Sequence, residues 1–298
     1  MLRQHTAIGS RMFVCARAES AKRLSAKLRA RASKQQGHMP EGSGLAMIAP
    51  LYSKADLHIH STYSDGTADV AAILAHVAAS DLRVIAITDH DTIAGGRAAA
   101  QLARQFGVEV VVGEEVSTIE GHVLALFIET ELPPGRPAAE TIAAVHEQGG
   151  LCVAAHPYDR SVPSLGAHGL RERCCTTWPL DAIEALNAGA IWSQRGCNRM
   201  AQRLAEEMGL PAVGGSDAHS LATIGQAYTE FAGTSASDLY RAICQGQVRW
   251  GGGYWSTWNY VEVSYQWARQ RGVSGLLRVA LDGVGMTRRA TVARESQI

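Results

Sequence analysis

Cysteine is scarce in this chain, and none of it is arranged to bind zinc. The 298 residues include six cysteines, Cys15, Cys152, Cys174, Cys175, Cys197 and Cys244, with no Cys-x-x-Cys pair among them. That spacing excludes a thiolate-based structural zinc site. A secretory leader is also missing, so free thiols in a reducing, cytoplasmic setting are the expectation. No stretch approaches the ~20 apolar residues of a membrane span. The chain has no Gly-x-Ser-x-Gly elbow and no Gly-rich Walker loop, and no residue stands out as the nucleophile of a covalent intermediate.

Net charge is lacking too, but only in sum. Lys and Arg number 28, as do Asp and Glu. Residues 1–50 carry nine basic and two acidic side chains, a net of +7, leaving −7 on the remainder. An acidic body argues against a broad nucleic-acid surface and suits a protein that gathers carboxylates around cations. The basic segment is Arg-rich and acid-poor, as transit peptides are. A disordered extension, or a start upstream of the true one at Met39 or Met47, is the expectation ahead of targeting. Aromatics make up 6% of the chain, yet Trp250, Trp255, Trp258 and Trp267 cluster near its end with Tyr254, Tyr260 and Tyr265. Six arginines follow from residue 268 onward. Packing of this tail on the body is expected ahead of contact with a membrane surface.

Histidine and carboxylate are present in a pattern. His58 and His60 lie two apart in an apolar run, so on a strand they share a face, and Asp65 follows where that strand should end. A second run, from Val84, ends in Asp89, His90 and Asp91; a third, from Val108, ends in Glu114 and Glu115. Leu151 to His156 ends in His156, and Pro211 to His219 ends in Asp217 and His219. His122 differs, since it begins its run. A single histidine beside an apolar run is usually a packed or surface residue, and His5, His38, His76, His146 and His168 are read so. The nine residues His58, His60, Asp65, His90, Glu115, His122, His156, Asp217 and His219 share a position at strand ends, which chance does not readily produce.

Ala-rich segments with helical spacing of apolar residues alternate with these runs: 68–80, 95–106, 138–148, 194–208 and 236–245. Gly107, Gly149 and Gly209 stand where C-caps are expected. The alternation indicates a parallel α/β architecture whose working residues gather at the C-terminal ends of its strands. With 181–186 as a further strand, about seven are expected.

The pieces His58-Ile-His60, Ser64-Asp65-Gly66, Thr88-Asp89-His90-Asp91, Gly113-Glu114-Glu115, His156-Pro157 and Ser216-Asp217-Ala218-His219 together resemble the PHP (polymerase and histidinol phosphatase) family of metal-dependent phosphoesterases. The resemblance implies a distorted seven-stranded (β/α) TIM-like barrel over 51–250, between the basic extension 1–50 and the tail 251–298. It further implies two or three metal ions. One would be held by His58, His60, Glu115 and Asp217, a second by Asp65, His90 and His219, and a third by Glu115 with His122 and His156. Glu114 departs from the family pattern, which leaves two adjacent carboxylates as candidates for the bridging role.

A donor set of imidazole and carboxylate without thiolate suits Mn²⁺, Fe²⁺ or Zn²⁺. The expected reaction is hydrolysis of a phosphate ester by a metal-bridging hydroxide, with Asp217 and Glu115 at its centre. A phosphate also calls for an arginine. Arg160 is the first candidate, and Arg195 and Arg199 are the second. Asn187 and Asn198 are expected to be caps ahead of residues that orient a ligand or substrate, and Asp56 is expected to lie deeper in the barrel than the metals. Only 33 residues separate His122 from His156, where relatives acting on nucleoside bisphosphates or RNA 5′ ends often carry an insertion. A small phosphomonoester, nucleotide-derived or otherwise, is therefore the expected substrate. The alternatives are a 5′-to-3′ exonuclease on short oligonucleotides and a low-activity accessory module.

Overall fold

The computed structural model describes residues 51–283, with side chains described to residue 270; the basic segment 1–50 and residues 284–298 lie outside. The seven apolar runs form strands β1 (Tyr52–Ile59), β2 (Leu82–Ile87), β3 (Glu109–Ser117), β4 (His122–Leu126), β5 (Leu151–Ala154), β6 (Ala182–Asn187) and β7 (Ala212–Gly215). Nearly every residue of β2, β4, β5 and β6 is buried, as expected for strands covered on both faces.

The sheet has nine strands rather than seven, in the order β7-β6-β5-β4-β3-β2-β1-β8-β9. Strands β1 to β7 follow chain order and make up the barrel. Its seam closes where Ala218, just past β7, bridges Ile59: Ala218 N–H donates to the His58 carbonyl (3.1 Å) and His60 N–H to the Ala218 carbonyl (2.9 Å). The additional strands β8 (Ala227–Ala232) and β9 (Val248–Gly252) form an antiparallel pair, joined through the helix Ala236–Cys244, with β8 on the first half of β1.

Five helices correspond to the Ala-rich segments: α1 (Val70–Ala78), α2 (Ala94–Phe106), α3 (Ala138–Glu147), α4 (Gly196–Met208) and α5 (Ala236–Cys244). Asp69 caps α1 by accepting from Ala72 N–H at 2.8 Å. Gly107 and Gly209 end α2 and α4 in the left-handed conformation, while Gly149 follows the α3 cap, Gln148. The helices cover the outside of the sheet in two apolar clusters. One lies around Ile142, Trp178 and Leu204, the other around Ile73, Leu74 and Ile85.

A sixth helix, α6 (Thr257–Gly283), is broken at Gly272, where φ is 69°. The aromatic tail divides. Trp255 and Val263 pack into a small core with Leu186, Ala188 and Ala227, while Trp258 and Tyr265 stay exposed. Among the described residues no helix is long and apolar enough to cross a membrane.

Strand β4 explains why His122 begins its run. It pairs antiparallel to both β3 and β5, with Ser117 opposite His122. The start of β4 therefore lies at the same end of the barrel as the C-terminal ends of its neighbours, and His122 arrives beside the others.

Candidate metal centre

All nine strand-end residues meet at one end of the barrel, around Glu115. Its Oε1 lies 2.8 Å from both His122 Nδ1 and His156 Nε2. Its Oε2 lies 3.1 Å from His58 Nε2, 3.3 Å from His60 Nε2 and 3.4 Å from His90 Nδ1. Asp217 Oδ1 sits 3.2 Å from His60 Nε2 and 3.4 Å from His58 Nε2. Asp65 completes the outer side, 3.0 Å from His219 Nε2 and 3.8 Å from His90 Nε2. Their ligand atoms fall into overlapping groups, each within 4.8 Å: His60, Asp65, His90 and His219; His58, His60 and Glu115; His58, His156 and Asp217; His90, Glu115 and His122. His60 and His90 thus join the groups expected to be separate.

The adjacent carboxylates are sorted by the alternation of β3. Glu115 faces the cluster, whereas Glu114 turns to the other face and accepts from Leu132 N–H at 3.0 Å. Burial pushes Glu114 up to about 8, so it is a neutral acid near pH 7. It is not a competitor for the bridging position.

The histidine nitrogens fit a metal better than they fit one another. Neither ring nitrogen of buried His60 makes a hydrogen bond, nor does His122 Nδ1, although carboxylate oxygens lie within 2.8–3.5 Å of them. Unpaired buried polar atoms are costly. Lone pairs that approach at hydrogen-bond distance without its geometry are aimed at a shared point, as donors to a common cation are. Charge balance points the same way. Burial works against ionised Glu115 and Asp217, yet the surrounding histidines hold both well below the usual carboxylate range. Burial also works against a charged His60, but Asp65, Asp217 and Glu115 lift it to about 10. Divalent cations would supply the positive charge that these protons supply otherwise.

Residues behind the donors set their orientation. Glu184, on β6, was not anticipated. Its Oε1 lies 2.9 Å from His58 Nδ1, and its Oε2 accepts from His156 N–H at 2.6 Å and from Asn187 Nδ2 at 3.0 Å. Its signal in the sequence is a lone charge in the otherwise apolar Ala182–Leu186. Asn187 also donates to Asp217 Oδ2 at 3.2 Å, and Asn198 grips the Asn187 backbone in both directions. Neither asparagine caps a helix; Asn187 instead bonds the Asp217 carboxylate, and Asn198 bonds the backbone of Asn187, the orienting role expected second to capping. Asp56 is buried below the histidines and accepts from Ser216 N–H (2.9 Å), Gly225 N–H (2.8 Å) and His58 N–H. Burial raises it to about 6 despite those bonds.

Asp89 accepts from Ser61 N–H, Ser61 Oγ and Ser64 Oγ, each at 2.7 Å, and so shapes the turn that delivers Asp65. His156 and Asp217 both have positive φ, 27° and 53°, conformations that non-glycine residues adopt at a cost. The Glu184 and Asn187 bonds hold them there.

The arginines differ in placement. Arg160 has an exposed side chain, and its backbone N–H donates to Gln194 at 3.4 Å. Arg199, in the first turn of α4, is exposed as well. Arg195 lies over the Tyr254 ring at 4.4 Å and donates Nη2 to the Trp255 carbonyl at 3.0 Å; its buried Nε has no partner among the described residues. His146, read as a non-ligand, lies 2.8 Å from Asp181 outside this cluster.

Comparison with known proteins agrees with this geometry. The PHP domain model matches residues 56–165 and the PHP-associated model matches 196–248. An uncharacterized protein of Methanocaldococcus jannaschii is 39% identical over 146 residues, which are 45% of this chain and 82% of that protein. The phosphoribosyl 1,2-cyclic phosphate 1,2-diphosphodiesterase of Eggerthella lenta is 40% identical over 84 residues, 26% of this chain and 32% of the enzyme. Among solved structures, a two-domain Bacteroides vulgatus protein containing a predicted PHP-like metal-dependent phosphoesterase superposes with a TM-score of 0.58 at 17% identity. That superposition covers 74% of this chain and 69% of the other and shows a shared fold. With both family models, a relative matched over most of its length and a converging imidazole–carboxylate centre, the chain belongs to the PHP domain family.

Proposed function

We propose that the protein hydrolyses a small phosphomonoester, nucleotide-derived monoesters foremost, at the centre around Glu115. The observation that carries this reading is the convergence of nine buried or half-buried donors with unpaired histidine nitrogens among them. His58, His60, Glu115 and Asp217 would hold one divalent ion. Asp65, His90 and His219, with His60, would hold a second. His122 and His156, which share Glu115 Oε1, would hold a third. Mn²⁺, Fe²⁺ and Zn²⁺ all suit this donor set. When bound, such ions polarise a phosphoryl oxygen and lower the pKa of water toward neutrality.

The chain's own residues supply the frame. Glu184 and Asn187 fix the orientation of His58 and Asp217. Burial of the inner donors keeps water away and strengthens every charge interaction there. Arg195 is the better supported cation for the substrate phosphate, since it is held by Tyr254 and Trp255 and keeps an unpaired Nε. Arg160, at the rim, is the second choice.

Phosphate release from a panel of phosphomonoesters, nucleoside bisphosphates and short 5′-phosphorylated RNAs, with Mn²⁺ added, tests the reading. Turnover of monoesters that EDTA and Asp217→Asn both abolish is the expected result. Preference for RNA would make the protein an exonuclease. Bound metal without turnover of any compound would make it an accessory module.

A further inference from the structure

The aromatic tail touches the loops that carry Asp65, Asp217 and His219. Trp255 is 5% exposed. Its indole N–H donates at 2.9 Å to the Ser216 carbonyl, immediately before Asp217, and its backbone N–H donates at 3.0 Å to the Ala188 carbonyl, immediately after Asn187. Tyr260 donates its hydroxyl to the Ala190 carbonyl at 2.9 Å. Further along α6, the Trp267 indole N–H donates to the backbone carbonyl of Asp65 at 2.6 Å, and Gln270 Nε2 donates to the Thr67 carbonyl at 2.9 Å. Both indoles stand near-perpendicular to the His219 ring, with centroids 6.0 Å and 5.3 Å away.

The loop from Ser61 to Asp69 has no regular secondary structure of its own. Besides the Asp89 bonds to Ser61 and Ser64, two sets of contacts position its backbone beyond Asp65. Thr67 bonds the His219 carbonyl through N–H and Oγ1, at 2.8 and 2.7 Å, and α6 supplies the other set. From these contacts we infer that α6 is a positioning element for the Asp65–His219 side of the metal centre. Trp267 fixes the backbone that aims Asp65, Trp255 fixes the backbone that aims Asp217, and the two rings hold the His219 imidazole upright between them. The inner donors, His58, His122, His156 and Glu115, are held by barrel strands and by Glu184 and do not depend on α6. Trp255, just before the helix, acts on Asp217 and so on the first ion, whereas Trp267 and Gln270, within α6, touch only the Asp65 loop and set affinity at the Asp65–His219 ion selectively. Residues that orient a donor without touching the ion commonly change affinity by 10–100-fold. This inference rests on the reading of the strand-end residues as metal donors.

Trp267→Phe keeps an aromatic ring beside His219 and removes the N–H together with the second ring of the indole. Mn²⁺ titration calorimetry of the full chain, with metal content measured after gel filtration, compares it with wild type, Gln270→Ala and the control Trp258→Phe, whose indole is 73% exposed. The expected result for Trp267→Phe is about tenfold weaker binding of one class of ion, with the remaining ions unchanged. Gln270→Ala should weaken the same class about threefold, and Trp258→Phe should match wild type. Activity of Trp267→Phe should return to the wild-type value at high Mn²⁺. Unchanged binding of all ions in Trp267→Phe would overturn the inference. So would equal weakening of every class together with a lower melting temperature of the metal-free protein, which would mean a role in folding alone. Failure of the underlying metal reading is visible separately, as wild-type protein that takes up no divalent ion.

Discussion

Glu184 and His58, 126 residues apart in the chain, meet at 2.9 Å through Oε1 and Nδ1. With Nδ1 engaged, His58 presents Nε2 to the space shared with Glu115 and Asp217. A carboxylate behind a histidine fixes its tautomer and raises its basicity as a metal donor. The second oxygen of Glu184 holds the backbone of His156, so one side chain orients two donors. Replacing Glu184 by Gln should weaken metal binding roughly 10–100-fold with the fold retained. Calorimetry with Mn²⁺ alongside circular dichroism would check this, and wild-type affinity in the variant would show that Glu184 is passive.

Gly215 explains how this pair can form. A Cβ at that position would stand 2.5 Å from Glu184 Oε1 and 2.7 Å from His58 Cβ. Both neighbours are buried and cannot withdraw. Gly215→Ala should therefore separate the two side chains, costing about 1–3 kcal/mol of stability through overpacking and reducing bound metal. Thermal melts and metal analysis together would measure it; an unchanged metal content would mean that β7 shifts as a unit.

Much of this was legible in the sequence, for reasons specific to each element. The seven barrel strands and five helices were visible because apolar runs alternate with helical spacing, and the convergence of nine imidazoles and carboxylates because they sit at strand ends. The reversed direction of β4 was not visible, because pairing direction depends on neighbours far along the chain. The β8–β9 pair was missed because a helix separates its strands and Ala227–Ala232 is a short run buried on alternate residues only. Glu184 was missed for the opposite reason: a single charge in an apolar strand gives no spacing to read. The two bonds that tie Trp267 and Gln270 to the Asp65 loop span more than 200 residues, and no local pattern announces them.

The donors also imply a dependence of metal uptake on pH. An imidazole binds metal only after losing its proton, so proton and ion compete for six of the nine residues. Mn²⁺ affinity should rise from pH 6 to pH 8, with net proton release on binding. Titrations in two buffers of different ionisation enthalpy would reveal the released protons. An affinity independent of pH would contradict the histidine-rich donor set.

A separate pH effect belongs to the fold. Asp238, in the first turn of α5, accepts from Thr234 N–H, Ser235 N–H and Ser235 Oγ, and pairs with Arg241. Partial burial opposes its charge, but these bonds outweigh it and hold the carboxyl below its ordinary 3.8. The unfolded chain therefore binds the proton first as pH falls. The stabilisation is fully present above about pH 4 and disappears as pH drops through the folded value. Asp238→Asn should cost about 1 kcal/mol at pH 7 and little near pH 2. Urea melts at the two pH values would test this, and an equal cost at both would assign the effect to packing.

The two arginines make the sharpest test of how the phosphate is held. Arg195 is held by the Tyr254 ring and the Trp255 carbonyl, with Nε unspent, whereas the Arg160 side chain is exposed. A charge-assisted bond to a phosphoryl oxygen gains most where water is excluded and the donor is already immobile. Arg195→Ala should lower kcat/KM for a good monoester about thirtyfold, or roughly 2 kcal/mol. Arg195→Lys should recover only part of it, because an ammonium lacks the planar fork. Arg160→Ala should stay within about threefold of wild type. Metal content equal to wild type in all three variants would confine the effect to substrate binding. If Arg160→Ala instead carries the loss and Arg195→Ala does not, the phosphate lies toward the β5 rim, and Arg195 only anchors the tail.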